Sequence, residues 1–297
     1  MDKLFQLFTL AAAFAALFTG VNGGWDPRSS NMIAGYWGQN SMGTADGQQR
    51  LIHYCPSDKI DVILLSFLPS LRNMHSLNFA NQEVGPLEHD IQDCQNNHKK
   101  SILLSIGGET TSDIGWGTRD EAVKAARDLW AAYGPPTDPA IHRPLGNAIV
   151  EGIDIDYEKN IENLLPFAEE LRRLTDESSA KDGKKYLVTL APQCPFPDEN
   201  LKALLQSDVA WDGVLIQFYN NERCGVISFV PGGEQQERFN LEEWQRWAEN
   251  SANPNVKILI GTPADSQAGA GYVPGHVLAD VIQYSKRFKN FGGLMFW

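Results

Sequence analysis

The chain has 297 residues, a formal net charge of −12 at pH 7, 42% hydrophobic and 21% charged residues. That balance describes one globular unit with a sizeable core and excludes a disordered or fibrous chain. The acidic excess argues against nucleic acid or an anionic membrane as partner and suits a neutral or cationic one.

Met1-Asp2-Lys3 is followed by an apolar run from Leu4 to about Phe18, then by small residues ending in Val21-Asn22-Gly23-Gly24. This order predicts a secretory signal peptide over 1–23, with the mature domain spanning 24–297. A membrane anchor is the competing reading, but the run is short and no basic stop-transfer cluster follows it. No Asn-x-Ser/Thr sequon is present, so N-glycosylation is not expected.

Short apolar or β-branched runs predict eight strands, at 32–36, 62–68, 101–106, 148–156, 186–191, 213–218, 257–262 and 292–297. Helical patterns at 87–97, 120–133, 160–176, 241–250 and 274–289 fall between them. In the third, Ile161, Leu164, Leu165, Ala168, Leu171 and Leu174 share one face. The alternation, without repeats or a linker, predicts a single-domain (β/α)8 barrel. An open doubly wound sheet is the alternative, but no Gly-rich phosphate fingerprint follows the first strand.

The fourth strand holds the most informative stretch, Glu151-Gly152-Ile153-Asp154-Ile155-Asp156-Tyr157-Glu158. A strand places alternate residues on one face, so Asp154, Asp156 and Glu158 point the same way, spaced by about 7 Å. A solvated acidic face would suit an antiparallel sheet with one wet side, whereas a barrel strand is covered on both faces. Three acids aimed inward therefore predict chemistry or a metal. A metal is the weaker reading, because one strand supplies few ligands and the six histidines are scattered. No metal or cofactor is expected.

Barrel active sites lie at the C-terminal ends of the strands. There the sequence has Tyr36-Trp37-Gly38-Gln39-Asn40, Ser105-Ile106-Gly107-Gly108, the three acids, Gln217-Phe218-Tyr219-Asn220-Asn221, and Trp297. Rings that stack on pyranose faces, with amides for hydroxyl groups, describe a sugar-binding surface. The four cysteines, Cys55, Cys94, Cys194 and Cys224, lack CxxC spacing and allow three pairings. Cys194 and Cys224 follow adjacent strand candidates, which favours Cys194–Cys224 and leaves Cys55–Cys94. Disulfides agree with export.

The chain resembles glycoside hydrolase family 18, in particular its class III, hevamine-like chitinases of plants and fungi. The family's DGxDxDxE signature reads EGIDIDYE at 151–158, and its SxGG motif is intact at 105–108. Further similar stretches are Arg143-Pro144-Leu145-Gly146, Ala191-Pro192-Gln193-Cys194-Pro195-Phe196-Pro197, Gly271-Tyr272-Val273-Pro274 and Gly292-Gly293-Leu294-Met295-Phe296-Trp297. The resemblance runs from about Asn31 to the last residue.

It implies a secreted, monomeric endo-chitinase that retains anomeric configuration through an oxazolinium formed by the substrate's own acetamide. Glu158 matches the proton donor, Asp156 the residue orienting the acetamide, and Asp154 its buried partner sharing a proton with Asp156. Tyr219 matches the tyrosine bonding the acetamide carbonyl. Tyr36, Gly107, Gln217, Asn220 and Trp297 match substrate-binding positions, Trp297 as a floor under the −1 sugar. The alternatives within the resemblance are a lectin-like binding protein and an endo-β-N-acetylglucosaminidase.

Three departures stand out. Glu151 replaces the usual Asp and is expected deep in the barrel, crowding the packing beneath Asp154. Glu109 follows the SxGG glycines and is expected to add a carboxylate near the cleft. The sequence stops at Trp297 on the eighth strand, where relatives continue with a loop and a helix, so an uncovered apolar face is expected there. A cysteine pair common after strand two in plant relatives is absent, which implies two disulfides rather than three.

Overall fold

The computed structural model describes residues 24–41, 43–44 and 47–297; the signal-peptide expectation for 1–23 lies outside them. The strands are β1 (Met32–Trp37), β2 (Val62–Leu68), β3 (Ser101–Gly107), β4 (Gly152–Asp156), β5 (Leu187–Leu190), β6 (Gly213–Gln217), β7 (Lys257–Thr262) and β8 (Phe291–Phe296). They pair in parallel and in sequence order, and β8 closes on β1. The helices are α1 (Leu87–Asn96), α2 (Arg119–Tyr133), α3 (Leu164–Asp182), α4 (Lys202–Leu205), α5 (Leu241–Asn250) and α6 (Gly275–Ser285). This is the predicted (β/α)8 barrel.

Strand alternation builds two cores. Met32, Ala34, Leu64, Leu103, Leu187, Leu215, Leu259 and Met295 fill the barrel. Ile63, Leu104, Ile153, Ile155, Val188, Ile216 and Ile260 face outward beneath the helices. Burying a side chain of this size contributes about 1.5–3 kcal/mol, which fixes the register, since a one-residue slip would exchange the two faces. At the lower end Trp25 closes the barrel, and a Cβ on Gly213 would overlap its ring.

Several element boundaries differ from expectation, among them the ends of α3 at Asp182 and of α6 at Ser285, and at two starts tertiary partners override local pattern. β4 starts at Gly152, not at 148. Ala148 and Val150 are buried, but their backbone bonds run to Leu145 and Tyr133 rather than to a strand. α3 starts at Leu164, not at 160, because Glu162 pairs with the loop after β3 and Asn163 takes a left-handed φ of 57°. The four-residue α4 carries too few residues for a periodic signal. The thr-x-x-glu start of α2 forms a capping box, with Thr118 accepting from the Glu121 N–H and Glu121 from the Thr118 N–H.

The disulfides Cys55–Cys94 and Cys194–Cys224 form as the strand order suggested. An apolar groove of about 310 Å³, lined in part by Trp37, Tyr54, Ile60, Ile63 and Trp297, lies open beside the β1 and β8 ends.

Glu151 does not lie beneath Asp154. It precedes β4 at the lower rim with outward parity, and its carboxylate accepts the Ile102 N–H at 3.1 Å while its own N–H donates to the Ile102 carbonyl. Asp61 before β2 treats Ile33 the same way, and Asp212 before β6 treats Val188 the same way, at 2.8 and 2.9 Å. Glu151 is thus one of three rim carboxylates that lock odd-numbered strands to even ones. Burial raises its pKa, and the Ile102 N–H opposes that.

Candidate active site

At the upper end, the three acids of the β4 motif form a row that opens towards solvent. Asp154 is fully buried and Asp156 is 4% exposed, while Glu158, past the strand end, is half-buried. Hydrogen bonding falls off along the same row. Asp154 accepts three hydroxyl groups: Tyr36 at 2.8 Å and Ser105 at 2.7 Å on Oδ2, and Thr189 at 2.7 Å on Oδ1. These come from β1, β3 and β5, and the register sets Ser105 and Thr189 on either side of Asp154. Asp156 accepts one amide, from Gln217 Nε2 at 3.1 Å. Glu158 has only long contacts, to Gln193 Nε2 at 3.4 Å and Gln217 Nε2 at 3.5 Å.

The electrostatics follow that order. Burial pushes the Asp154 carboxyl up, and the three hydroxyls oppose it. Asp156 is pushed well above the usual carboxylate range, by burial first, then by the charges of Glu158 and Asp154, with Gln217 opposing. Glu158 is raised mainly by burial; the Gln217 amide opposes this, and the charge of Glu109 adds to it.

Asp156 and Glu158 open into a cavity of about 350 Å³ whose walls include Phe67, Glu109, Gln217, Tyr219, Asn220 and Trp297. Tyr219 is 6% exposed, and its hydroxyl has no partner among the described residues. Burial and the three carboxylates raise its pKa strongly, so it stays a neutral donor. The Trp297 ring leans on Tyr36 and Phe67, with centroids 5.5 and 5.9 Å away. Its backbone is tied across to Thr262 and Ala264.

The remaining expected substrate-binding residues, Tyr36, Gly107 and Asn220, also serve neighbouring side chains or backbone. Tyr36 is not on the cavity wall; it stands behind Trp297 with its hydroxyl on Asp154. Gly107 is buried and off the wall as well. Its φ of +106° favours glycine, and a Cβ there would come within 2.5 Å of the Asp156 carbonyl. The adjacent Gly108 N–H donates to that same carbonyl at 2.7 Å. Asn220 does line the cavity, but its Oδ1 accepts from Ala270 and holds the loop after β7.

Ser105, Thr189, Gln193 and Asn221 also belong to the site, although the sequence assigned none of them a role in it. The first two had a legible signal, being inward-facing hydroxyls in otherwise apolar strands. Gln193 and Asn221 sit on loops whose course no local pattern dictates.

A family model described as glycosyl hydrolases family 18 matches residues 32–272. The chain belongs to that family. Endochitinase 33 of Trichoderma harzianum is 42% identical over 97% of this chain and 92% of its own length. The class III chitinase of Arthroderma benhamiae is 37% identical over 96% of this chain and 86% of its own length. A xylanase and α-amylase inhibitor protein from Scadoxus multiflorus has the same fold, with a TM-score of 0.74 at 27% identity, covering 90% of this chain and 92% of that one. An inhibitor on this barrel means that the fold alone does not decide activity.

Proposed function

We propose that the protein is a secreted endo-chitinase acting on β-1,4-linked N-acetylglucosamine polymers with retention of configuration. The observation that carries the reading is the row Asp154, Asp156, Glu158, in which hydrogen-bond satisfaction falls as the acids approach the cavity. A carboxyl lacking strong donors and raised by burial holds its proton nearer neutrality, as a general acid must.

Glu158 gives that proton to the glycosidic oxygen as its bond to the anomeric carbon breaks. No second carboxylate is needed as nucleophile in this family. The acetamide oxygen of the −1 sugar bonds the anomeric carbon and leaves an oxazolinium ion. Asp156, beside the cavity, orients the acetamide nitrogen and balances its growing positive charge. The free Tyr219 hydroxyl donates to the acetamide oxygen. Water then attacks the anomeric carbon as its bond to the acetamide oxygen breaks and the acetamide is restored, and Glu158 takes the water's proton and is an acid again.

Asp154 acts through Asp156 by fixing charge and position. Trp297 forms the sugar floor, with Tyr36 supporting it and Gln217 spanning both reacting acids. Gly107 and Asn220 serve by placing backbone. The two disulfides support an oxidising, extracellular setting, with chitin or its oligosaccharides as the partner and no cofactor.

The experiment is hydrolysis of a fluorogenic chitooligosaccharide by residues 24–297 and by Glu158→Gln, with proton NMR of the first-formed anomer. Turnover that is lost in the variant and gives the β-anomer first supports the reading. A wild type that binds the oligosaccharide without cleaving it would transfer the site to the lectin-like class.

A further inference from the structure

β3 ends in a turn of two glycines. Gly107 and Gly108 take φ of +106° and +77° and fold the chain over the top of β4. The turn delivers Glu109 to the wall of the cavity that holds Asp156 and Glu158. Glu109 is exposed and has no hydrogen-bond or ion-pair partner among the described residues. Beside the acids, the same cavity is lined by neutral amides, among them Gln193, Gln217 and Asn221. No Lys or Arg lines the cavity among the described residues. The cation on the neighbouring segment, Lys159, turns away: its ammonium donates to the Thr111 carbonyl. The Glu109 charge is close enough to act on the Glu158 carboxyl.

A fully acetylated chitin chain is neutral and offers this carboxylate nothing to neutralise. A deacetylated unit carries an ammonium at mildly acidic pH and does. The −1 unit must keep its acetamide, because that group is the proposed nucleophile. Its neighbours are under no such constraint. Resting on the chitinase reading, we infer that Glu109 is a specificity-determining residue that receives a glucosaminium unit in a subsite next to the scissile bond.

An exposed ion pair of this kind changes selectivity by about two- to fivefold and weakens with salt. The test digests chitosan of defined partial acetylation with the wild type and with Glu109→Gln, and sequences the oligosaccharide products by mass spectrometry. The fraction of glucosamine beside each new end is an internal competition, so a common change in rate cancels. Expected is a two- to fivefold enrichment at one position beside the cleaved bond in the wild type. It is lost in the variant and lost for the wild type in high salt. Equal product sequences from both enzymes, with fully acetylated oligosaccharide still cleaved, overturn the role of Glu109 alone. A wild type that cleaves neither substrate overturns the chitinase reading and this inference together.

Discussion

Two rows of carboxylates occupy opposite ends of the barrel and meet opposite treatment. At the lower rim, Asp61, Glu151 and Asp212 each take the side-chain bond from a backbone N–H of the strand before, and Asp212 also holds Arg172 and Lys185. At the upper end, Asp154 takes three hydroxyls, Asp156 one amide, and Glu158 two stretched contacts. The lower row is structural because its acceptors are used within the protein. The upper row becomes available for chemistry in proportion to what the protein leaves unpaired.

The largest test of that contrast is Glu158→Gln. Removing a general acid should lower kcat by about 10³-fold, with the far-ultraviolet circular dichroism and melting temperature unchanged. A large drop in stability instead would place Glu158 with the structural row. Asp156→Asn comes next. Loss of a charge aimed at the developing cation should lower kcat by about 10²-fold, measured in the same assay.

Gly107→Ala strikes the link between the turn and the row. A left-handed φ and the approach to the Asp156 carbonyl should cost about 1–3 kcal/mol in denaturant unfolding. It should also lower kcat, because Asp156 moves. Glu151→Ala probes the lower row by itself. Leaving the buried Ile102 N–H without its acceptor should cost about 1–3 kcal/mol of stability, while kcat/KM of the folded enzyme holds. A kinetic loss there would break the division between the two ends.

The smallest effect is that of Glu109→Gln on the pH–rate profile. The Glu109 charge raises the Glu158 pKa, so removing it lowers that pKa. The general acid then deprotonates at lower pH, and the alkaline limb of kcat/KM moves acidward at low salt. An unmoved limb would mean that solvent screens Glu109 from the acid.

Much of the site was legible because strand periodicity is local. Alternation alone aims Asp154 and Asp156 inward, and the barrel rule places Glu158 and Trp297 at the cleft. Glu151 was misplaced for an instructive reason. Its neighbours in sequence are the acids of the cavity row, but its parity is outward, and its partner Ile102 is 49 residues away. Tyr36 and Gly107 stand at strand ends like binding residues. One supports Asp154 from behind, and the other makes room for a carbonyl.

The sequence by itself determined the eight-unit alternation and the direction of the three acids, and it favoured the pairing of Cys194 with Cys224. Those follow from period, spacing and strand order, which are written along the chain. Only the tertiary structure decided how many donors each acid receives, and with that its pKa and freedom to react. The donors come from β1, β3, β5 and β6, and closing the barrel is what brings them to one carboxylate row.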